Sequence, residues 1–372
     1  MTTDPIGLYV HIPFCIRKCN YCDFCSYPGL IGEQLSLYVG TLLKEARQYA
    51  RAKKIRVNTL YFGGGTPSLL TPSEFEKILL GISDVFDISE HCELTLEANP
   101  GTFDFEKMSA YRSLGVNRIS IGIQSFCENE LKKLGRIHSA SEAIEGYNVV
   151  RRAGFDNVSI DLMYGIPEQT LATFGKTLDE AVALDPDHIS AYGLIVEEGT
   201  PFFAERDTLA VPDEDTECAM YYTAAERLLA AGYRHYEISN YAKDGHESKH
   251  NLKYWRAEEY IGLGVAAYSY FDGMRYGNAR SLDAYLSAPS PVECEHLTDG
   301  DIAYEYAMMR LRLSEGISLS DYKERFGMSF LSERESLIDK FSRHGLISQD
   351  GDRLSLTERG FYLSNTILAE IL

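Results

Sequence analysis

Tyr9-Val10-His11-Ile12-Pro13-Phe14-Cys15-Ile16-Arg17-Lys18-Cys19-Asn20-Tyr21-Cys22-Asp23-Phe24-Cys25 carries half of the eight cysteines in a chain of 372 residues. Their spacing is C-x3-C-x2-C-x2-C, while Cys92, Cys127, Cys218 and Cys294 stand alone. Thiols this close on one loop can converge on a metal centre, whereas bridging them to one another would staple only tiny loops. Zinc wants a second Cys or His pair about a dozen residues away, and none follows. A disulfide framework belongs to short secreted chains. Soft thiolates crowded on a loop suit an iron–sulfur cluster, with zinc and a structural or fortuitous grouping as the alternatives.

Outward from this loop, short β-rich runs alternate with amphipathic helical runs, the pattern of parallel βα units. Strands are expected over 7–12, 57–62, 92–97, 118–123, 158–163 and 188–192. Leu35, Tyr38, Leu42 and Leu43 recur at helical spacing and predict a helix to about residue 53. Pro72 and Ser73 open the next one. Six such units make a partial (β/α)6 barrel, a fold whose functional groups gather at the carboxyl ends of its strands. The first five strands each lead into a distinctive segment there: the cysteine loop, Gly63-Gly64-Gly65-Thr66-Pro67, Ala98-Asn99-Pro100-Gly101, Gln124-Ser125 and Gly165-Ile166-Pro167.

Past residue 200 the rhythm changes. A helix is expected over 217–231 and a strand over 233–238, then a loop-rich, aromatic and glycine-rich part over 243–278. Helices over 304–313, 319–326 and 330–344, a hairpin about Asp350-Gly351 and a last helix from Thr357 make a winged-helix-like module. The division expected is 1–240 for the barrel, 241–300 for the loop-rich part and 301–372 for the module.

The chain is 45% hydrophobic and 24% charged, which is ordinary for a globular protein. It has no apolar run of membrane-spanning length, and its start lacks the pattern of a signal peptide, so a cytoplasmic location is expected. Its 55 acidic against 36 basic residues, a net charge of -19, set it against nucleic acid as a partner.

Read as bare residues, the glycine run is a tight turn, and it lacks the Lys-Ser/Thr ending of a P-loop. Glu97 at a strand end and Asp161 in an apolar strand each need donors if buried. A lone His250 beside aromatics is more often structural than a ligand.

The first three cysteines, with Tyr21 before the third, resemble the signature of radical S-adenosylmethionine (SAM) enzymes. That resemblance implies a [4Fe-4S] cluster held by Cys15, Cys19 and Cys22, with one iron open to SAM, and Cys25 is then not a ligand. The match is closer still to the oxygen-independent coproporphyrinogen III dehydrogenase-like family. It runs through 9–15, 62–68, Glu97-Ala98-Asn99-Pro100, 117–126, Leu134-Gly135-Arg136-Ile137-His138 and 161–167. By that resemblance Tyr9, Tyr21, Gly64, Gly65, Thr66, Glu97, Gln124, Arg136 and Asp161 contact SAM.

Two branches of the family differ. The dehydrogenases carry an amino-terminal extension and a Cys where Phe24 stands here. The heme chaperone HemW branch is shorter and carries H-N-x-x-Y-W, which resembles His250-Asn251-Leu252-Lys253-Tyr254-Trp255 and includes the only Trp. The second branch implies heme as a bound partner, with His250, Asn251, Tyr254 and Trp255 as its site. It also implies an apo-hemoprotein acceptor, which can bring the chain to a membrane face peripherally. Tyr268 stands where this branch often has His. The rival readings are the decarboxylating dehydrogenase and a radical SAM enzyme with another substrate.

Overall fold

The computed structural model describes residues 4–29, 32–332 and 334–372. Its main sheet takes β1 (Ile6–Ile12), β2 (Ile55–Gly64), β3 (Phe86–Ala98), β4 (Arg118–Gln124), β5 (Val158–Tyr164) and β6 (His188–Gly193). To these it adds β7 (Arg234–Glu237), β8 (Asn240–Ala242), β9 (Tyr260–Leu263), β10 (Tyr268–Phe271), β11 (Met274–Asn278) and β12 (Pro291–His296). The order is β12-β11-β10-β9-β1-β2-β3-β4-β5-β6-β8-β7. Strands β9 and β1 to β6 pair in parallel, and the flanking strands pair antiparallel. The six βα units therefore stand side by side in chain order, as the alternating pattern predicts.

These parallel strands are not apolar on both faces. Val10 and Ile12, Leu60 and Phe62, Ile119 and Ile121, and Ile160 and Leu162 are all fully buried. Their neighbours at the alternate positions include Thr59, Tyr61, Thr95, Glu97, Arg118, Ser120, Asp161, His188 and Ser190. With period two, one face of the sheet packs on helices and the other presents polar groups to the interior. A parallel sheet with a polar inner face encloses a site rather than a filled core.

The helices begin where the chain supplies caps. Pro72–Val85 starts with Thr71 and Glu74 bonding each other's backbone amides, and Ala140–Arg152 starts with Ser139 and Glu142 in the same arrangement. The helix expected to reach residue 53 ends earlier, at Arg47. The amides of Gln48, Tyr49 and Ala50 bond back three residues in a tightened last turn, and 51–54, Arg-Ala-Lys-Lys, offers only the Ala52 methyl to hold another turn.

The segment 243–278 is not mainly loop. It holds the helix Lys249–Trp255 and strands β9 to β11, and β9 adds a seventh parallel strand against β1.

The last part holds helices Asp299–Arg310, Leu319–Phe326, Glu335–Arg343, Glu358–Tyr362 and Ser364–Ile371 around a three-stranded antiparallel sheet, Ile317–Ser318, Arg353–Leu356 and Ile347–Asp350. It packs on the barrel through Ser314 N donating to Tyr236 O at 3.0 Å, His235 Nδ1 with Glu358 Oε2 at 2.8 Å, and Arg256 Nε with Glu315 Oε1 at 3.0 Å. Among the described residues no helix is long and apolar enough to cross a membrane.

Candidate functional site

The polar faces of β2 to β6 and the loop after β1 enclose a cavity of about 340 Å³. Cys15, Cys19 and Cys22 line it, and Cys25 does not. The Cys25 thiol instead donates to the Arg280 carbonyl oxygen at 3.1 Å and lies 3.8 Å from the Tyr27 hydroxyl. All four cysteines are free thiols.

Among the described residues no three His, Cys, Asp or Glu side chains close round a single ion. Thr66 Oγ1 donates to Cys15 Sγ and Arg136 Nη1 to Cys19 Sγ, each at 3.4 Å. Burial pushes the Cys15 thiol up and the Cys22 thiol up to about 11. Thiols so buried give up their protons readily only when a metal takes the charge, so the donor set fits an iron–sulfur cluster.

The glycine run is clamped to the cysteine loop. Gly65 N donates to Ile12 O and Thr66 N to Phe14 O, both at 2.8 Å. A Cβ on Gly65 would stand 2.7 Å from Phe14 O and 2.8 Å from Ile12 O. Gly64 has φ 108°, and a Cβ there would strike the His11 ring. Its amide donates to Glu97 Oε2 at 3.0 Å, while the Tyr61 hydroxyl donates to Glu97 Oε1 at 2.8 Å. Burial raises the Glu97 carboxyl to about 7 despite both donors.

Gln124 ends β4 in the left-handed region, φ 73°, where the register with β5 shifts between Gly122 and Gln124. That bulge sets its side chain on the cavity wall, a costly conformation of the kind that clusters at functional sites. Gly135, at φ 75°, ends the helix Glu128–Leu134 and turns Arg136 inward. Arg136 Nη2 donates to Asn99 Oδ1 at 2.7 Å and Gly122 O at 2.5 Å, and Asn99 Nδ2 reaches Thr66 Oγ1 at 3.0 Å. Asp161 lines the cavity and accepts from Ser120 Oγ at 3.2 Å, and burial raises its carboxyl.

Of the residues carried over for SAM, Tyr21, Gly64, Gly65, Thr66, Glu97, Gln124, Arg136 and Asp161 meet on this one cavity. Tyr9 stands one layer behind. Its hydroxyl pairs with His11 Nδ1 at 2.9 Å and its ring stacks 6.2 Å from Tyr61, which takes the wall position. Tyr61, Asn99, Arg118, Ser120, His188, Ser190 and Tyr192 also line the cavity and were not singled out from the sequence. The period-two run of polar side chains inside β2 to β6 was the signal that could have found most of them.

The helix Lys249–Trp255 packs beside β2 and β3. His250 is 1% exposed, with Nδ1 bonded to Thr59 Oγ1 at 2.9 Å and Nε2 to the Tyr254 hydroxyl at 2.8 Å. Burial lowers its imidazole to about 3, so the ring is neutral. With both nitrogens taken, His250 is placed here as a packing residue, stacked 5.1 Å from Tyr61, and not as an open ligand. Asn251 faces the cavity, Tyr254 meets Tyr260 edge-on at 4.5 Å, and Trp255 is half-buried. Tyr268 lies on β10 with its hydroxyl donating to Glu293 at 2.9 Å.

Residues 9–181 match the radical SAM superfamily and residues 297–363 the HemN C-terminal domain. Along 100% of its length the chain is 35% identical to heme chaperone HemW of Lactococcus lactis, covering 98% of that protein. It is 34% identical to heme chaperone HemW of Bacillus subtilis, with 98% of each chain covered, and 36% identical to that of Escherichia coli, with 98% of this chain and 97% of that one covered. The solved structure of coproporphyrinogen III oxidase (HemN) from Escherichia coli, a radical SAM enzyme, superposes with a TM-score of 0.87 at 22% identity, over 99% of this chain and 90% of that one, which shows a shared fold. At these identities over its full length, the chain belongs to the HemN-like family of the radical SAM superfamily, on the branch of the heme chaperone HemW proteins.

Proposed function

We propose that this protein is a heme carrier that binds heme and passes it to an apo-hemoprotein, holding a [4Fe-4S] cluster on Cys15, Cys19 and Cys22 and SAM in the adjoining cavity. The observation that carries the reading is the full-length similarity to proteins named heme chaperone HemW, whose branch motif forms a helix against the SAM-facing strands. When bound, the cluster and SAM supply either a structural plug or one-electron chemistry. The chain's own part is to hold them. Glu97 accepts from Gly64 and Tyr61, Arg136 sets a cation beside Cys19, and Gln124 is pre-turned into the cavity. The carrier acts in the cytoplasm, and where its acceptor is membrane-bound it meets the membrane through that acceptor.

His250 can reach an iron only if its bonds to Thr59 and Tyr254 break, so heme ligation by this residue requires the helix Lys249–Trp255 to move. The rival reading, decarboxylation of coproporphyrinogen III, is favoured by the completeness of the SAM-facing wall. The test is anaerobic reconstitution followed by titration with hemin and, separately, incubation with coproporphyrinogen III, SAM and a reductant. Saturable hemin binding without vinyl product is expected. Vinyl product without saturable hemin binding would overturn the reading.

A further inference from the structure

We infer that Arg118 builds a carboxylate-binding subsite at the deep end of the cavity, below the residues that face SAM. Arg118 is 2% exposed, yet its Nε has no partner and its guanidinium forms no hydrogen bond or ion pair with any described residue. It lines the cavity, as do the acids Glu97 and Asp161, and neither comes within the 4.0 Å of an ion pair. A buried cation left without a hydrogen-bond partner is costly, and the arginine fork matches a carboxylate in two parallel bonds. From the helix Lys249–Trp255, Asn251 faces the same cavity, and its side-chain amide also makes no bond to a described residue. Two unpartnered donors thus look into one space, with the Ser120 and Ser190 hydroxyls on the same wall.

Arg118 opens β4 and Gln124 ends it, so the length of this strand, about 20 Å at 3.3 Å per residue, separates their backbones. The subsite is therefore distinct from the wall beside the cysteine loop. The methionine end of SAM belongs at the open iron beside the cysteine loop, so the carboxylate that reaches this depth is a propionate of a tetrapyrrole, a source that rests on the heme-carrier reading.

The test measures affinities of the reconstituted full chain for two ligand pairs, SAM with decarboxylated SAM and hemin with hemin dimethyl ester, in wild type and in Arg118→Gln, Arg118→Lys and Asn251→Asp. Arg118→Gln should weaken hemin by at least about tenfold and leave hemin dimethyl ester and both members of the SAM pair unchanged. Arg118→Lys should restore part of the loss, and Asn251→Asp, which adds an anion, should weaken the same ligand. Unchanged affinities throughout, or equal losses for both members of each pair, overturn the subsite and leave Arg118 a counter-charge for Glu97 and Asp161. Absence of binding of both hemin and its ester in wild type overturns the carrier reading, whereas binding of both with no preference for the acid overturns the subsite alone.

Discussion

Cys22 and Cys25 are three residues apart and chemically identical, but only one of them faces the cavity. The difference lies in the backbone after Cys22, which carries Cys25 to the Arg280 carbonyl. Cys22→Ser should therefore lower iron and acid-labile sulfide per chain after reconstitution, while Cys25→Ser should keep both at the wild-type level. Equal loss in the two variants would make Cys25 a ligand. Gln124 gives a second contrast at this scale. A left-handed non-glycine residue costs about 1 kcal/mol or more, so Gln124→Gly should hold or raise the melting temperature while weakening SAM, and Gln124→Ala should lose on both counts. The cysteine spacing and the glycine run could be read from the sequence because their chemistry depends on local order. Tyr61 in place of Tyr9 on the wall could not, because which of two stacked tyrosines faces the cavity is set by strand register.

Among elements, the helix Lys249–Trp255 links the branch motif to the SAM wall. His250 stacks on Tyr61, and Tyr61 donates to Glu97. His250→Ala should lower thermal stability and also weaken SAM on the order of tenfold, about 1.4 kcal/mol, as Glu97 loses a positioned donor. An unchanged SAM affinity alongside an altered heme spectrum would instead mark His250 as an iron ligand. This part of the chain reads as loop-rich from its sequence for identifiable reasons. Strands β9 and β10 are four residues long, glycines punctuate them, and the helix has only seven residues, so neither the two-residue nor the 3.6-residue period has room to establish itself. Their order comes from pairing beyond the segment, with β9 lying against β1. The six parallel units were legible because each repeats the same alternation over a longer span.

Across the whole molecule, three glutamates in separate places have their carboxyls pushed up. Glu45 accepts from Gly264 N at 2.8 Å, Asn278 Nδ2 at 2.6 Å and Tyr285 Oη at 2.6 Å, Glu97 lies on the cavity, and Glu237 sits where the barrel meets the last domain. Burial raises each to about 7 from an ordinary 4.5. Between these values each glutamate holds its proton in the folded chain and loses it in the unfolded one, so its own contribution falls as pH rises from about 4.5 to about 7, by on the order of 3 kcal/mol at most. Burial lowers the imidazoles of His11, His138, His188 and His250, whose contributions rise with pH in the same window, so the glutamate part is read as a difference: Glu45→Gln should gain on wild type as pH rises across it. Denaturant melts of both chains across this range check it, and a difference between them that stays constant with pH would contradict it. The C-terminal module packs on its own barrel through His235 with Glu358 and Arg256 with Glu315.

The most direct test of the carrier function is a transfer measurement. Reconstituted, heme-loaded protein is mixed with an apo-hemoprotein, the two are separated, and heme is quantified on each. The account predicts that heme leaves this chain and appears on the acceptor faster than free hemin at the same concentration would load it. Heme that stays on this chain, or loads the acceptor no faster than free hemin does, would contradict it.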